Sequence, residues 1–266
     1  MEVCSMFPDF DPGSQPVHPV PQQRIAEKLN EYMSRKDYPA VERHLLYWLE
    51  EARQGNDPRG ALMIRNEMIG HYRKTGERQK AHESAGDALR LIQLLGYEQS
   101  ISAATTYVNI ATAYHSFDEY AEALPLFRQA RAIYEASPAT DPALLGGLYN
   151  NMGLTCAALG QYQEAHALYD RAMEVMEQVP HGNLEQSITC LNRANAVEME
   201  LGMDRGEPRI FELLDQASAL MEKPDTPHDG YYAYVCEHSA PTFEYYGYFL
   251  CAETLRREAR NIYERT

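Results

Sequence analysis

The segment Tyr107-Val-Asn-Ile-Ala-Thr-Ala-Tyr114 returns 42 residues later as Tyr149-Asn-Asn-Met-Gly-Leu-Thr-Cys156. Both begin with Tyr, place Asn two residues on, and put a small residue, Ala111 or Gly153, four residues on. Downstream, Asp118 to Ala130 matches Gly160 to Ala172 at the same offset. Upstream, Ile69, Tyr72, Gly76, Ala81, Ala85 and Ala88 occupy equivalent places 42 residues earlier still. Ala194, Leu213 and Ala217 continue the pattern after an insertion around Asp204–Pro208. A last unit carries Ala240, Phe243, Gly247, Phe249, Ala252 and Ala259. Leu29, Tyr32, Tyr38, Val41, Leu45 and Trp48 make a weaker first unit. A repeat of this length is one supersecondary unit that cannot bury its apolar face alone, so the copies must stack.

Small residues at Gly153 and Ala165 let two antiparallel helices approach, while Tyr162 and Tyr169 fill the space between pairs. Gly76 and Gly160 are placed to end first helices in a left-handed turn. The expected fold is all-α: a right-handed α-solenoid of about six antiparallel helix pairs, whose first helices line a concave wall. The units are 22–57, 58–97, 98–139, 140–182, 183–226 and 227–266, one array over 22–266. Residues 1–21 form a proline-rich leader expected to be extended or disordered. Pro241, inside a first helix, is expected to kink or break it.

The set Gly153, Gly160, Tyr162, Ala165, Tyr169 and Ala172 resembles the tetratricopeptide repeat, and the resemblance covers nearly the whole chain. The period near 42 exceeds the common 34, and in this it is similar to the repeats of kinesin light chain and of bacterial peptide-sensing regulators. The resemblance implies a protein-interaction scaffold or adaptor that binds an extended peptide in its concave groove. Those regulators carry a DNA-binding segment before the repeats; only the leader stands there in this sequence.

Composition narrows the partners. The net charge is −15. Residues 1–100 hold 13 Lys+Arg against 15 Asp+Glu, and residues 101–266 hold 11 against 24. An acidic surface repels phosphate backbones, which argues against nucleic acid and for a basic or neutral protein or peptide. The apolar residues fall in helical stripes, none near the roughly 20 needed to span a bilayer, so no membrane association is expected. Met1–Pro21 lacks a basic start followed by an apolar stretch, and a cytoplasmic location is expected. Cys4, Cys156, Cys190, Cys236 and Cys251 are widely spread and are read as reduced, mostly buried thiols. No phosphate-binding, dinucleotide, metalloprotease or serine-hydrolase motif occurs, so neither an enzyme nor a cofactor is expected. The oligomeric state stays open.

A row of asparagines is the sharpest candidate site. Asn109, Asn151 and Asn192 share one slot in consecutive first helices. Asn is an indifferent helix former, so its recurrence wants a reason. An amide donates and accepts, and three in a groove can grip the backbone of an extended ligand. The resemblance implies that use; the alternative is that the amides bridge neighbouring helices. Asn150, Asn195, Arg73 and His115 lie around the row, with Arg73 and Lys74 able to meet a ligand carboxylate or to serve as a solvated basic face. The second candidate is an aromatic segment, Tyr231 to Phe249, in which Tyr234, Tyr245 and Tyr248 are possible contacts and His238 takes the asparagine slot. That segment suits a terminal cap, a self-assembly surface, or a small-molecule site. Cys236 and His238 stand two apart on a helix and point to opposite sides, so no metal site is read there.

Overall fold

The computed structural model describes Phe10 and residues 16–265. These form helices and turns with no strand among them. The helices are α1 (Gln22–Ser34), α2 (Tyr38–Gln54), α3 (Pro58–Thr75), α4 (Arg78–Leu95), α5 (Ile101–Ser116) and α6 (Tyr120–Ala136). They continue as α7 (Pro142–Ala158), α8 (Tyr162–Met176), α9 (Asn183–Leu201), α10 (Met203–Met221), α11 (Gly230–Tyr245) and α12 (Phe249–Tyr263). Six helix pairs result, the expected all-α arrangement. The chain groups into two compact units, residues 1–137 and 138–266, each holding three pairs.

Local chemistry sets where the helices start and stop. Side chains of Asp57, Ser100, Asp141 and Asp229 accept backbone N–H groups in the first turns of α3, α5, α7 and α11, satisfying donors that no preceding carbonyl can reach. Each first helix is then followed by a residue of positive φ: Lys36, Gly76, Asp118, Gly160, Gly202 and Gly247. The turn that the sequence marks by Gly76 and Gly160 therefore closes all six pairs, twice with a residue other than glycine. The stretch read as an insertion, Asp204–Pro208, makes the first turns of α10.

Within each unit the first helices pack on one another, α3 on α5, and α7 on α9 on α11. The cores lie between first and second helices. In the pair α7–α8, Tyr169 is fully buried. A Cβ added at Gly153 would stand 2.5 Å from its ring. The small-against-large pairing read from the repeat is thus a direct contact. Tyr162 reaches onward, its hydroxyl donating to the Met199 carbonyl of α9 at 3.2 Å.

Pro241 does not break its helix. α11 runs unbroken from Gly230 to Tyr245 with Pro241 inside it. Ala240 and Phe243, on either side, are fully buried in the core of α9–α12. Burying a Phe side chain stabilises by roughly 1.5–3 kcal/mol, comparable with the roughly 3 kcal/mol that an interior proline costs. The expected break is therefore corrected, and Pro125 in α6 and Pro208 in α10 are accommodated likewise.

The described part of the leader is tied down. The Val17 N–H donates to the Gly55 carbonyl at 2.9 Å. The Val20 N–H donates to Oδ2 of the buried Asp57 at 2.9 Å, while Oδ1 of the same carboxylate caps α3 through Gly60 N at 2.9 Å. One side chain therefore holds both the leader and the start of α3.

Candidate functional site

The first helices α5, α7 and α9 carry Asn109, Asn151 and Asn192. In the first unit Asn109 of α5 is half-buried and donates to Asn66 Oδ1 of α3 at 3.3 Å. Asn66 in turn donates to Thr106 Oγ1 at 3.0 Å. In the second unit Asn192 of α9 donates to Oδ1 of the buried Asn150 of α7 at 3.1 Å. Asn195, one turn on, accepts from the Tyr246 hydroxyl of α11 at 2.9 Å. Asn109 and Asn192 thus use one amide proton to bridge adjacent first helices. Asn151 differs: it is half-buried, and its side chain makes no hydrogen bond with any described residue. Asn66 escaped sequence reading because a 42-residue step back from Asn109 lands on Glu67, one residue away. The bridge joins neighbouring slots, and only the separation of 42 between Asn150 and Asn192 hints at it.

Between α3 and α5 the amides border a pocket of about 350 Å³, lined among others by Arg59, Asn66, Tyr97, Thr105 and Asn109. Thr105 Oγ1 is bonded to the Tyr134 hydroxyl at 2.8 Å, which fixes that wall. A second pocket of about 210 Å³ is lined by Leu29, Met33, Val41 and Leu45, with Glu67, His71, Arg73 and Lys74 on α3. Arg73 is exposed there with no ion pair among the described residues. His115, at the end of α5, is half-buried and stacks edge-on with Tyr120; burial lowers its pKa against the opposing pull of Asp118.

The aromatic segment divides. Tyr231 and Tyr234 stack with ring centroids 6.3 Å apart, and Tyr234 meets His238 at 3.9 Å, all three exposed on α11. Tyr245 is exposed and donates to Glu198 of α9 at 2.9 Å. Tyr248 instead donates to Asp215 of α10 at 2.6 Å and packs on Phe211 and Phe243. No ring contact or hydrogen bond joins Tyr248 to Tyr234 or His238 among the described residues. Cys236 is buried, which pushes its thiol pKa up to about 12, whereas His238 on the same helix is exposed. No group of three His, Cys, Asp or Glu side chains among the described residues is placed to hold a metal. No helix among them is long and apolar enough to cross a membrane.

Two stretches match family models, both described as tetratricopeptide repeat, over residues 60–136 and 146–179. No curated protein matches the sequence. Among solved structures, the chain is similar to BtubC (BKLC) from P. vanneervenii, with 18% identity over 77% of this chain and 83% of that chain, at a TM-score of 0.65. It is also similar to the nearly identical TPR-like repeats of a putative kinesin light chain from Podosopora anserina. There the identity is 19% over 76% of this chain and 94% of that chain, at a TM-score of 0.51. At such identities the likeness concerns the fold. Residues 60–136 and 146–179 are thus tetratricopeptide repeats, the fold is that of the TPR-like repeats in those structures, and such repeats support a protein-interaction scaffold in general terms.

Proposed function

We propose that the chain holds an extended segment of a partner protein along a first-helix wall, in the second unit through the amides of Asn151 and Asn192 and in the first through that of Asn109. The observation that carries this is Asn151, whose half-buried amide makes no hydrogen bond with any described residue. An amide with no hydrogen-bond partner is suited to a peptide unit, which presents one donor and one acceptor. Asn109 and Asn192 donate one proton each to the wall and keep a carbonyl oxygen for a ligand. The role is that of an adaptor with no catalytic step, working on protein rather than nucleic acid or lipid.

The test uses Asn151→Ala. A partner captured from cell extract is identified, and its binding segment is titrated calorimetrically against the parent and variant chains. The expected result is an affinity about ten-fold lower, the worth of one good hydrogen bond, with an unchanged thermal melt. Equal affinity would sink the groove reading. A second reading, self-assembly through the last pair, is favoured by the exposure of Phe249 (66%) and Leu250 (81%) on α12; a strict monomer by light scattering at the highest attainable concentration removes it.

A further inference from the structure

The second unit divides its charges between first and second helices. α7, α9 and α11 together contain a single Lys or Arg, Arg193, and it is engaged by Asp170 of α8 at 2.6 Å. Every other Lys or Arg within α7–α12 lies on a second helix. The first helices instead carry Glu244, paired with Arg256 of α12, Glu200, beside His166 of α8 at 3.0 Å, and three carboxylates paired with no cation among the described residues, Glu185, Glu198 and Glu237. Each accepts a tyrosine hydroxyl: Tyr231 on Glu185, Tyr245 (2.9 Å) and Tyr246 (2.8 Å) on Glu198, Tyr263 (3.2 Å) on Glu237.

Three rings of α11 are open to solvent. Tyr231 is 46% exposed, Tyr234 47% and Tyr245 69%. With His238 they fall at helical spacings of three, seven and fourteen residues from Tyr231, so they form one stripe along α11. The stripe is about 21 Å long at 1.5 Å per residue, the span of six or seven extended residues. The centroids of Tyr231 and Tyr234 stand 6.3 Å apart. In an extended chain, side chains on one face recur every ~6.6 Å. A phenol hydroxyl bonded to a carboxylate leaves its ring richer in electrons, the condition under which a guanidinium or ammonium is attracted to an aromatic face. The rings sit beside Glu185, Glu198 and Glu237, which have no cation partner among the described residues and would repel an acidic ligand.

We infer that the α11 stripe binds a basic, extended protein segment, with alternate Arg or Lys side chains stacked on Tyr231 and Tyr234 and flanked by Glu185, Glu198 and Glu237. The inference rests on the segment-binding reading above and names the chemistry of the segment. A second copy of this acidic unit is a poor occupant, because like charges would face each other.

The probe is a fluorescein-labelled seven-residue peptide with Arg at positions 1, 3, 5 and 7, titrated by anisotropy against the full chain at physiological salt. The same peptide with Gln or with Glu in place of Arg serves as comparison. The Arg probe is expected to bind at least about ten-fold more tightly than the Gln probe, from two or more cation–ring contacts. Tyr234→Ala is expected to weaken it about five-fold while Tyr234→Phe restores it, since the ring and not the hydroxyl is used. The triple variant Glu185→Gln, Glu198→Gln, Glu237→Gln is expected to weaken it by about ten-fold. The charge-matched triple on second helices, Asp204→Asn, Glu207→Gln, Glu253→Gln, is expected to change it by less than about two-fold. The inference fails if the Arg probe does not bind, if Tyr234→Ala has no effect, or if both triples weaken it equally, which would mark diffuse attraction. If the Arg probe does not bind while Asn151→Ala still weakens the segment of the captured partner, the segment-binding reading stands and the basic specificity falls.

Discussion

Tyr169 lies fully buried against Gly153, and its hydroxyl has no hydrogen-bond partner among the described residues. A buried polar group left unpaired costs about 1–3 kcal/mol. Tyr169→Phe is therefore expected to raise the stability to urea by about 1 kcal/mol, with an unchanged slope of the unfolding transition. The asparagines divide in the same terms. Asn192→Ala deprives the buried Asn150 of its donor and is expected to cost about 1 kcal/mol, whereas Asn151→Ala is expected to leave the urea midpoint in place. Sequence reading found the slot that these residues share. It did not find which neighbour each would meet, because a helix slot fixes direction only to within the reach of a side chain. Asn66 went unseen for that reason, and so did the separation of Tyr248 from Tyr234.

At the scale of elements, the left-handed residue after each first helix governs how sharply a pair closes. Lys36 adopts φ +55° and Asp118 φ +62°, where glycine serves at the other four ends. Left-handed backbone costs a side-chain-bearing residue roughly 1–2 kcal/mol, part of which glycine returns through its freer unfolded chain. Lys36→Gly is expected to stabilise by about 0.5–1 kcal/mol, read as a higher midpoint in urea. Asp118→Gly should gain less, because Asp118 also accepts the Tyr120 hydroxyl at 2.6 Å. Helix identity was legible in the sequence through the small-large pattern and through Gly76 and Gly160, which end first helices. A break at Pro241 did not follow, because backbone preference alone leaves out the packing of Ala240 and Phe243 around it.

At the scale of the whole molecule, the two units differ in how they answer to acid. His44, His71 and His115, all in the first unit, have pKa values lowered mainly by burial. Unfolding returns them to the ordinary value near 6.5, so below that pH the unfolded chain binds more protons and stability falls. Glu67, open to solvent yet partly desolvated, is raised and works the other way, one group against three. Amides of α2–α5 are expected to lose hydrogen-exchange protection between pH 7.5 and 5.5 before those of α7–α12, and parallel loss in both units would contradict this. No sequence pattern discloses it, since burial of a histidine depends on which neighbours the stacking supplies.

The leader adds a mechanical property. The Gly55 carbonyl and the Asp57 carboxylate anchor Val17 and Val20 ahead of α1. A pull applied from the N-terminal side meets these two anchors before it can peel α1 from α2. The load is thereby delivered to the junction of α2 and α3, where Asp57 also starts the helix. A tether attached ahead of residue 16 would act on the interior of the first unit rather than on its edge.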